Sequence, residues 1–217
     1  DSGSTLTLTH ANSFGGTLLV SGGTLAATVT GALGSVTAIS VQGAVLNTVD
    51  YNPAAILSLD ATATAIISGS NLTLGAVINN NSTSPNPLDF TGTTGMVTLL
   101  SLSGAGVSSF DNHATILGGI ASGTVSIGGL LTSAISGGTV SAASLTATSV
   151  TGGSTTVAGD ASIGVMSAGT ANLNGATAAI NTLNGGTINL GATTLTVSAG
   201  TSAGTITGAS GNLIKSG

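Results

Sequence analysis

The 217-residue chain has no cysteine, tryptophan, arginine or glutamate, and it holds a single lysine, Lys215. Charged side chains make up 3% of it, against about 25% in ordinary globular proteins. Each shortage excludes something. Without cysteine there is neither a disulfide scaffold nor a thiolate metal site. One cation against a formal net charge of −5 cannot neutralise a phosphate backbone, so nucleic-acid binding is excluded. Anionic membranes are disfavoured for the same reason. Aromatic residues, at 2%, are too few for the girdles of an outer-membrane barrel. No stretch of about 18 apolar residues runs free of Gly, Ser or Thr, so no membrane-spanning helix is expected. No signal peptide is visible, since Asp1 opens directly into strand-like sequence. A leader has therefore been removed, or the chain begins inside a longer protein.

What the chain does have is glycine, 35 residues of it, together with abundant Thr, Ser and Ala and an apolar fraction of 41%. Disordered chains combine low hydrophobicity with high charge and few β-branched residues. This chain is the opposite on all three counts.

From about residue 124 a ladder emerges. A small residue and a Gly precede a Thr or Ser, and an apolar residue follows shortly after. The steps fall at Thr124, Thr139, Ser154, Thr170, Thr187 and Thr201. Within the steps, Val140, Leu145, Val150, Ile180, Leu183, Ile188, Leu195 and Val197 mark short strands, with Gly, Asn and Ser supplying the turns between them. Gly every few residues disfavours helix by about 1 kcal/mol each against Ala. One turn of this size cannot bury its inward face alone, whereas turns coiled on one another can. The fold predicted is all-β, a parallel β-helix (β-solenoid) over residues 1–217, regular over 124–217 and irregular in the middle. At roughly 16–20 residues per coil it makes about 11–13 coils, about 4.8 Å apart.

The two ends of the sequence fit each other. Joining GNLIKSG to DSGSTLTLTHANSFGGTLLV keeps both the Gly/Ser punctuation and the alternation of Leu6 and Leu8. Neither end carries the polar cap of a finished solenoid. The expectation is one period, or an interior piece, of a longer rod, with an assembly seam at Leu6, Leu8, Leu213, Ile214 and Lys215. Lys215 would then lie near the following Asp1.

Residues 4–26, STLTLTHANSFGGTLLVSGGTLA, resemble the autotransporter-associated β-strand repeat of giant secreted bacterial surface proteins. Leu6, Leu8, Asn12, Phe14, Gly15, Gly16, Thr17, Gly22, Gly23, Thr24 and Leu25 carry the match, and His10 departs from it. Residues 204–217, GTITGASGNLIKSG, are similar to the segment that precedes this motif, with Lys215 in its GxLxKxG-type ending. The resemblance implies a right-handed β-helix and a bacterial extracellular or cell-surface location. It implies a fibrous role without catalysis or cofactor.

Residues 47–113 break the rhythm. They hold Pro53, Pro85 and Pro87, the sole Tyr, and four of the six Asp. DYNP at 50–53 reads as a turn and NNNSTSPNP at 79–87 as a loop. Insertions in a solenoid emerge on one face and often make contacts. This region is either a longer turn and packing element or a recognition surface for glycan or another chain. Its candidate residues are Tyr51, Asp89, Phe90, Phe110, Asp111 and His113. The function expected is a structural, non-enzymatic unit of a bacterial fibre, sheath or surface protein whose partners are copies of itself. The alternative is an adhesin passenger that binds glycan or host through 47–113.

Other chemistry finds little support. A carboxylate pair for polysaccharide cleavage could come from Asp50 with Asp60 or from Asp89 with Asp111, but there is no Arg to hold a uronate. Asp111 and His113 make a cluster of two, where a transition-metal site needs three or four ligands. No metal, cofactor or phosphate-binding motif is expected. Thr-x-Thr triplets, which on a flat solenoid face can bind ice, occur at 5–9, 28–30, 62–64, 91–93, 146–148, 194–196 and 205–207. Their spacing is irregular, so no aligned array is expected.

Overall fold

A computed structural model of the chain describes residues 3–49, 51, 55–201 and 203–216. Among the described residues there is no helix, and every pairing between strands is parallel. The first four turns hold β1 (Thr5–Leu8) and β2 (Gly15–Ser21), β3 (Thr24–Ala27) and β4 (Ser35–Gln42), β5 (Val45–Thr48) and β6 (Ile56–Leu59), and β7 (Thr64–Ile67) and β8 (Leu72–Asn79). The fifth carries β9 (Leu88–Asp89) and β10 (Val97–Ser103). Three turns then run almost as single strands: β11 (Val107–Ile116), β12 (Thr124–Ile135) and β13 (Thr139–Val150). The last four divide again, into β14 (Ser154–Val157) and β15 (Ala161–Met166), β16 (Thr170–Leu173) and β17 (Thr177–Leu183), β18 (Thr187–Leu190) and β19 (Thr194–Ala199), and β20 (Thr205–Thr207) and β21 (Asn212–Lys215). The chain is a parallel β-solenoid of about twelve turns.

Register explains the composition. Alternate residues of a strand point to opposite faces, so each inward position becomes a column along the rod. One column runs Leu6, Leu25, Leu46, Ala65, Leu88 and Ser108, then Val125, Val140, Thr155, Ala171, Ile188 and Ile206. A second runs Leu18, Ile39, Leu57, Val77, Leu102, Ile120, Ile135, Val150, Met166 and Leu183. From Ile39 onward every member of the second column is buried. The strand markers expected from the sequence, Val140 through Val197, lie in this core.

Turns differ in length while columns stay aligned. Thr124 pairs with Thr139 and Thr139 with Ser154, steps of 15 residues, whereas Ala65 to Leu88 spans 23. The corner before each outward Thr is where glycine is required. Gly138 has φ +74, and a Cβ there would run into the Gly123 carbonyl one turn below. The ladder's last step is also corrected. Thr187 pairs with Thr205, not Thr201, because the corner ahead of β20 is longer than the preceding ones.

Residues 47–113, expected to be insertion-like, contribute β6 to β10 and most of β11 to the same ladder. Their irregularity lies in the connection between β8 and β9, which holds the expected loop, and in a bulge between Phe110 and His113. Buried amides hold that connection. Asn79 donates to the Val107 carbonyl at 2.7 Å and to Ser108 Oγ at 3.2 Å. Asn81 donates to the Ala63 carbonyl at 2.7 Å, and its Oδ1 accepts from the Thr83 N–H at 2.9 Å. Satisfied in this way, two side chains that are each 1% exposed can sit inside an apolar rod. Of the DYNP turn, Tyr51 is described; Asp50 and 52–53 lie outside the described residues.

Candidate functional site

The residues expected to form a recognition surface do not share one surface. Phe90 and Phe110 are 1% and 5% exposed, and their rings stack with centroids 4.8 Å apart. Each follows an inward residue by two positions, Phe90 after Leu88 and Phe110 after Ser108, so alternation aims both at the core. Phe110 pairs with Ile127 and Ile127 with Ala142, which places the two rings in an inward column. Tyr51 is 4% exposed. Its hydroxyl has no hydrogen-bond partner among the described residues, and burial pushes its pKa up. These three aromatic residues are core, and the expectation that they form an exposed surface is corrected. The proximity of Pro and Asp in the sequence had masked their inward alternation.

Asp111 and His113 are exposed and flank the bulge in β11. Between them Asn112 donates to the Thr93 carbonyl at 3.0 Å. The bulge turns this stretch outward and leaves the His113 ring over Gly129, where a Cβ would meet ring atoms. Among the described residues no three His or Asp side chains come together as a metal site would need.

The remaining carboxylates among the described residues accept from backbone N–H groups. Asp89 Oδ1 accepts from the Thr91 N–H at 2.8 Å, and Asp160 Oδ1 accepts from the Thr177 hydroxyl at 2.8 Å. Asp60 accepts from the N–H groups of Thr62 at 2.8 Å, Ala63 at 2.8 Å and Gly43 at 3.1 Å. The Thr62 N–H, foremost among these donors, holds the Asp60 carboxyl below the usual carboxylate range, against a smaller opposing effect of desolvation. A carboxylate fixed this way is a turn cap rather than a proton donor. Asp50, its expected catalytic partner, lies outside the described residues.

A cleft of about 420 Å³ opens between the second and fourth turns, lined by Thr30, Ser35, Tyr51, Ser70, Asn71 and Thr73 among others. Among the described residues its lining carries hydroxyls and an amide and no charge.

At the expected seam, Leu6 and Leu213 are 62% and 56% exposed, and Ile214 is 48% exposed. Leu8 packs partly against the core. Lys215 pairs with Val197 in an inward column, and its Nζ donates to the Ser198 carbonyl at 2.9 Å. Asp1, its expected neighbour across the seam, lies outside the described residues.

The sequence ladder already held five members of one outward column, but neither its last member nor the second column beside it. Thr124, Thr139, Ser154, Thr170, Thr187 and Thr205 stand in register. Two residues along, so do Ser126, Ser141, Thr156, Asn172, Asn189 and Thr207. Uneven turn lengths hide both columns from a search for evenly spaced triplets. No family model matches the chain, and no characterised protein or solved structure does either.

Proposed function

We propose that the chain is a structural, non-enzymatic segment of a bacterial extracellular fibre or giant surface protein, in which successive units continue one another end to end. The observation that carries this reading is the repetition of the ladder itself. Thr205-Ile206-Thr207 of β20 stands in the columns that begin at Thr5-Leu6-Thr7 of β1, with the same outward–inward–outward chemistry. A β1–β2 turn laid on β20–β21 therefore extends both the hydrogen-bonded ladder and the apolar column. The next turn can come from the same polypeptide or from another copy. One lysine in 217 residues leaves trypsin a single site, as suits a protein that lives outside the cell.

The test compares the single unit with a tandem of two. The tandem should melt in one cooperative transition above that of the unit, and the unit should form rods in concentrated solution that persist in about 1 M salt. Exposed ion pairs, which contribute about 1 kcal/mol at most, do not hold such a seam. A tandem that melts as two independent units, together with a unit that stays monomeric at every concentration, overturns the reading. The cleft around Tyr51, whose described lining residues are uncharged, favours a second reading, glycan binding by an adhesin. Retention of the unit on immobilised neutral glycan would support it.

A further inference from the structure

We infer that the outward face of the last six turns, built on the Thr124–Thr205 and Ser126–Thr207 columns, binds the surface of ice. This goes beyond the structural role and does not depend on it.

Four observations carry the inference. The first is the lattice. Adjacent turns are spaced by about 4.8 Å and alternate residues of a strand by about 6.6 Å. The two columns therefore set hydroxyl and amide groups on a two-dimensional grid of about the mesh of oxygen atoms in ice. The register between β12 and β13 is unbroken across this face, and the bulge in β11 falls after Val107 and Ser109, the residues that pair with Thr124 and Ser126.

The second is neutrality. Neither column holds an ionisable side chain. Ions are rejected by a growing ice lattice, and a charged group would carry a hydration shell that does not fit it. In the first six turns the equivalent positions include Val45, Ile66 and Asp89, so the neutral hydroxyl grid is confined to the second half.

The third is flatness. The positions two before the first column are Ser122, Gly137, Gly152, Ala168, Gly185 and Ala203. No bulky side chain at these positions stands above the hydroxyls.

The fourth is order. The six hydroxyls of the first column make no side-chain hydrogen bond to the described residues, so their donors and acceptors are open to solvent water. Five of the six are Thr, whose χ1 is stiff. In the second column Asn172 donates to Thr156 Oγ1 at 3.2 Å, Asn189 to Asn172 Oδ1 at 2.7 Å, and Thr207 to the Asn189 Oδ1 at 2.6 Å. These links fix the amides before any ligand arrives. A face that loses little freedom on binding can gain from many individually weak contacts, which is the only kind of contact an ice surface offers.

The experiment measures thermal hysteresis and partition of the intact chain into slowly grown ice. The variants are Thr170→Lys, at the centre of the grid, and Val45→Lys, in the equivalent column of the first half. Circular dichroism confirms that each folds. The wild type and Val45→Lys should enter the ice and shape its crystals, while Thr170→Lys should lose at least tenfold in hysteresis activity. Should Thr170→Lys fail to fold, Thr170→Tyr replaces it. A wild type excluded from ice like an inert carrier protein overturns the proposal. So does a folded Thr170 variant that keeps full activity. Binding to insoluble neutral polysaccharide without entry into ice also overturns it, and assigns the grid to glycan instead.

Discussion

The rings of Phe90 and Phe110 stack 4.8 Å apart and 12° from parallel, the same separation as that between adjacent turns of the ladder. The two phenylalanines are therefore two consecutive members of one inward column, each filling the volume that Ile67 and Ile127 fill in the turns around them. Phe110→Ala opens a cavity at that point and should destabilise the unit by about 3–5 kcal/mol. Phe110→Leu, which keeps most of the volume, should cost about 1 kcal/mol. Urea unfolding monitored by circular dichroism measures both. Equal, small losses for the two variants would mean that the rings lie outside the core.

The corner glycines make a sharper demand. Gly123, Gly138, Gly153, Gly169 and Gly186 all have φ between +74 and +89, in the region where a Cβ is costly. Gly138 also lies directly over the Gly123 carbonyl. Gly138→Ala should therefore destabilise by more than the roughly 1 kcal/mol of an ordinary Gly-to-Ala conflict. Gly16→Ala offers the comparison. Its φ is +83, but nothing lies within 4 Å of the added Cβ, so it should cost only the conformational part. Thermal melts of the two variants separate stacking from φ.

These elements show what was legible in the sequence and what was not. From Thr124 on, each turn is marked by a small residue, a Gly and a Thr or Ser, so strands, alternation and core could be read directly. Earlier turns vary in length, with Val107 to Thr124 spanning 17 residues and Ala65 to Leu88 spanning 23, and no fixed period exposes them. Phe90 and Phe110 were misread because Pro and Asp neighbours suggested a loop. The signal that places them is local: Leu88-x-Phe90 alternates as Val125-x-Ile127 does. The end of the first outward column at Thr205 and the whole of the second were invisible for a different reason. A column is a relation between turns, and it appears only once every corner has been given its true length.

Asp60 sets a pH dependence. Its carboxylate is held below the usual range by the Thr62, Gly43 and Ala63 N–H groups. The ionised form is thus favoured in the folded chain relative to the unfolded one, whose carboxyl titrates near about 3.9. Its stabilisation is fully present above that value and is lost as pH falls through the lower folded pKa. Asp60→Asn removes the titration. The stability gap between wild type and variant should be constant from pH 7 to about 5 and should shrink progressively below about pH 4. A gap that grows on acidification would contradict the hydrogen-bonded cap.

Lys215 makes the last prediction. It ends an inward column that passes through Ile163, Ile180 and Val197, and its Nζ reaches the Ser198 carbonyl instead of continuing inward. A further turn laid on β21 would meet the lysine stem where earlier turns place apolar side chains. The first turn of a second copy is suited to that position. Val36, Leu74 and Leu99 each stand three residues before a member of one aligned column, Ile39, Val77 and Leu102. Val36 pairs with Gly16, so the column that Lys215 ends begins at a glycine, with space above it. If units join there, Lys215→Leu puts an apolar side chain in the column at the cost of the exposed hydrogen bond to the Ser198 carbonyl. Burying a leucine contributes about 1.5–3 kcal/mol, and each 1.4 kcal/mol is about tenfold in affinity. End-to-end association, followed by sedimentation velocity over a concentration series, should tighten at least tenfold. Lys215→Asp, which places an anion in the same column beside a chain already at −5, should weaken it. Association that responds to neither variant would place the joint elsewhere on the rod.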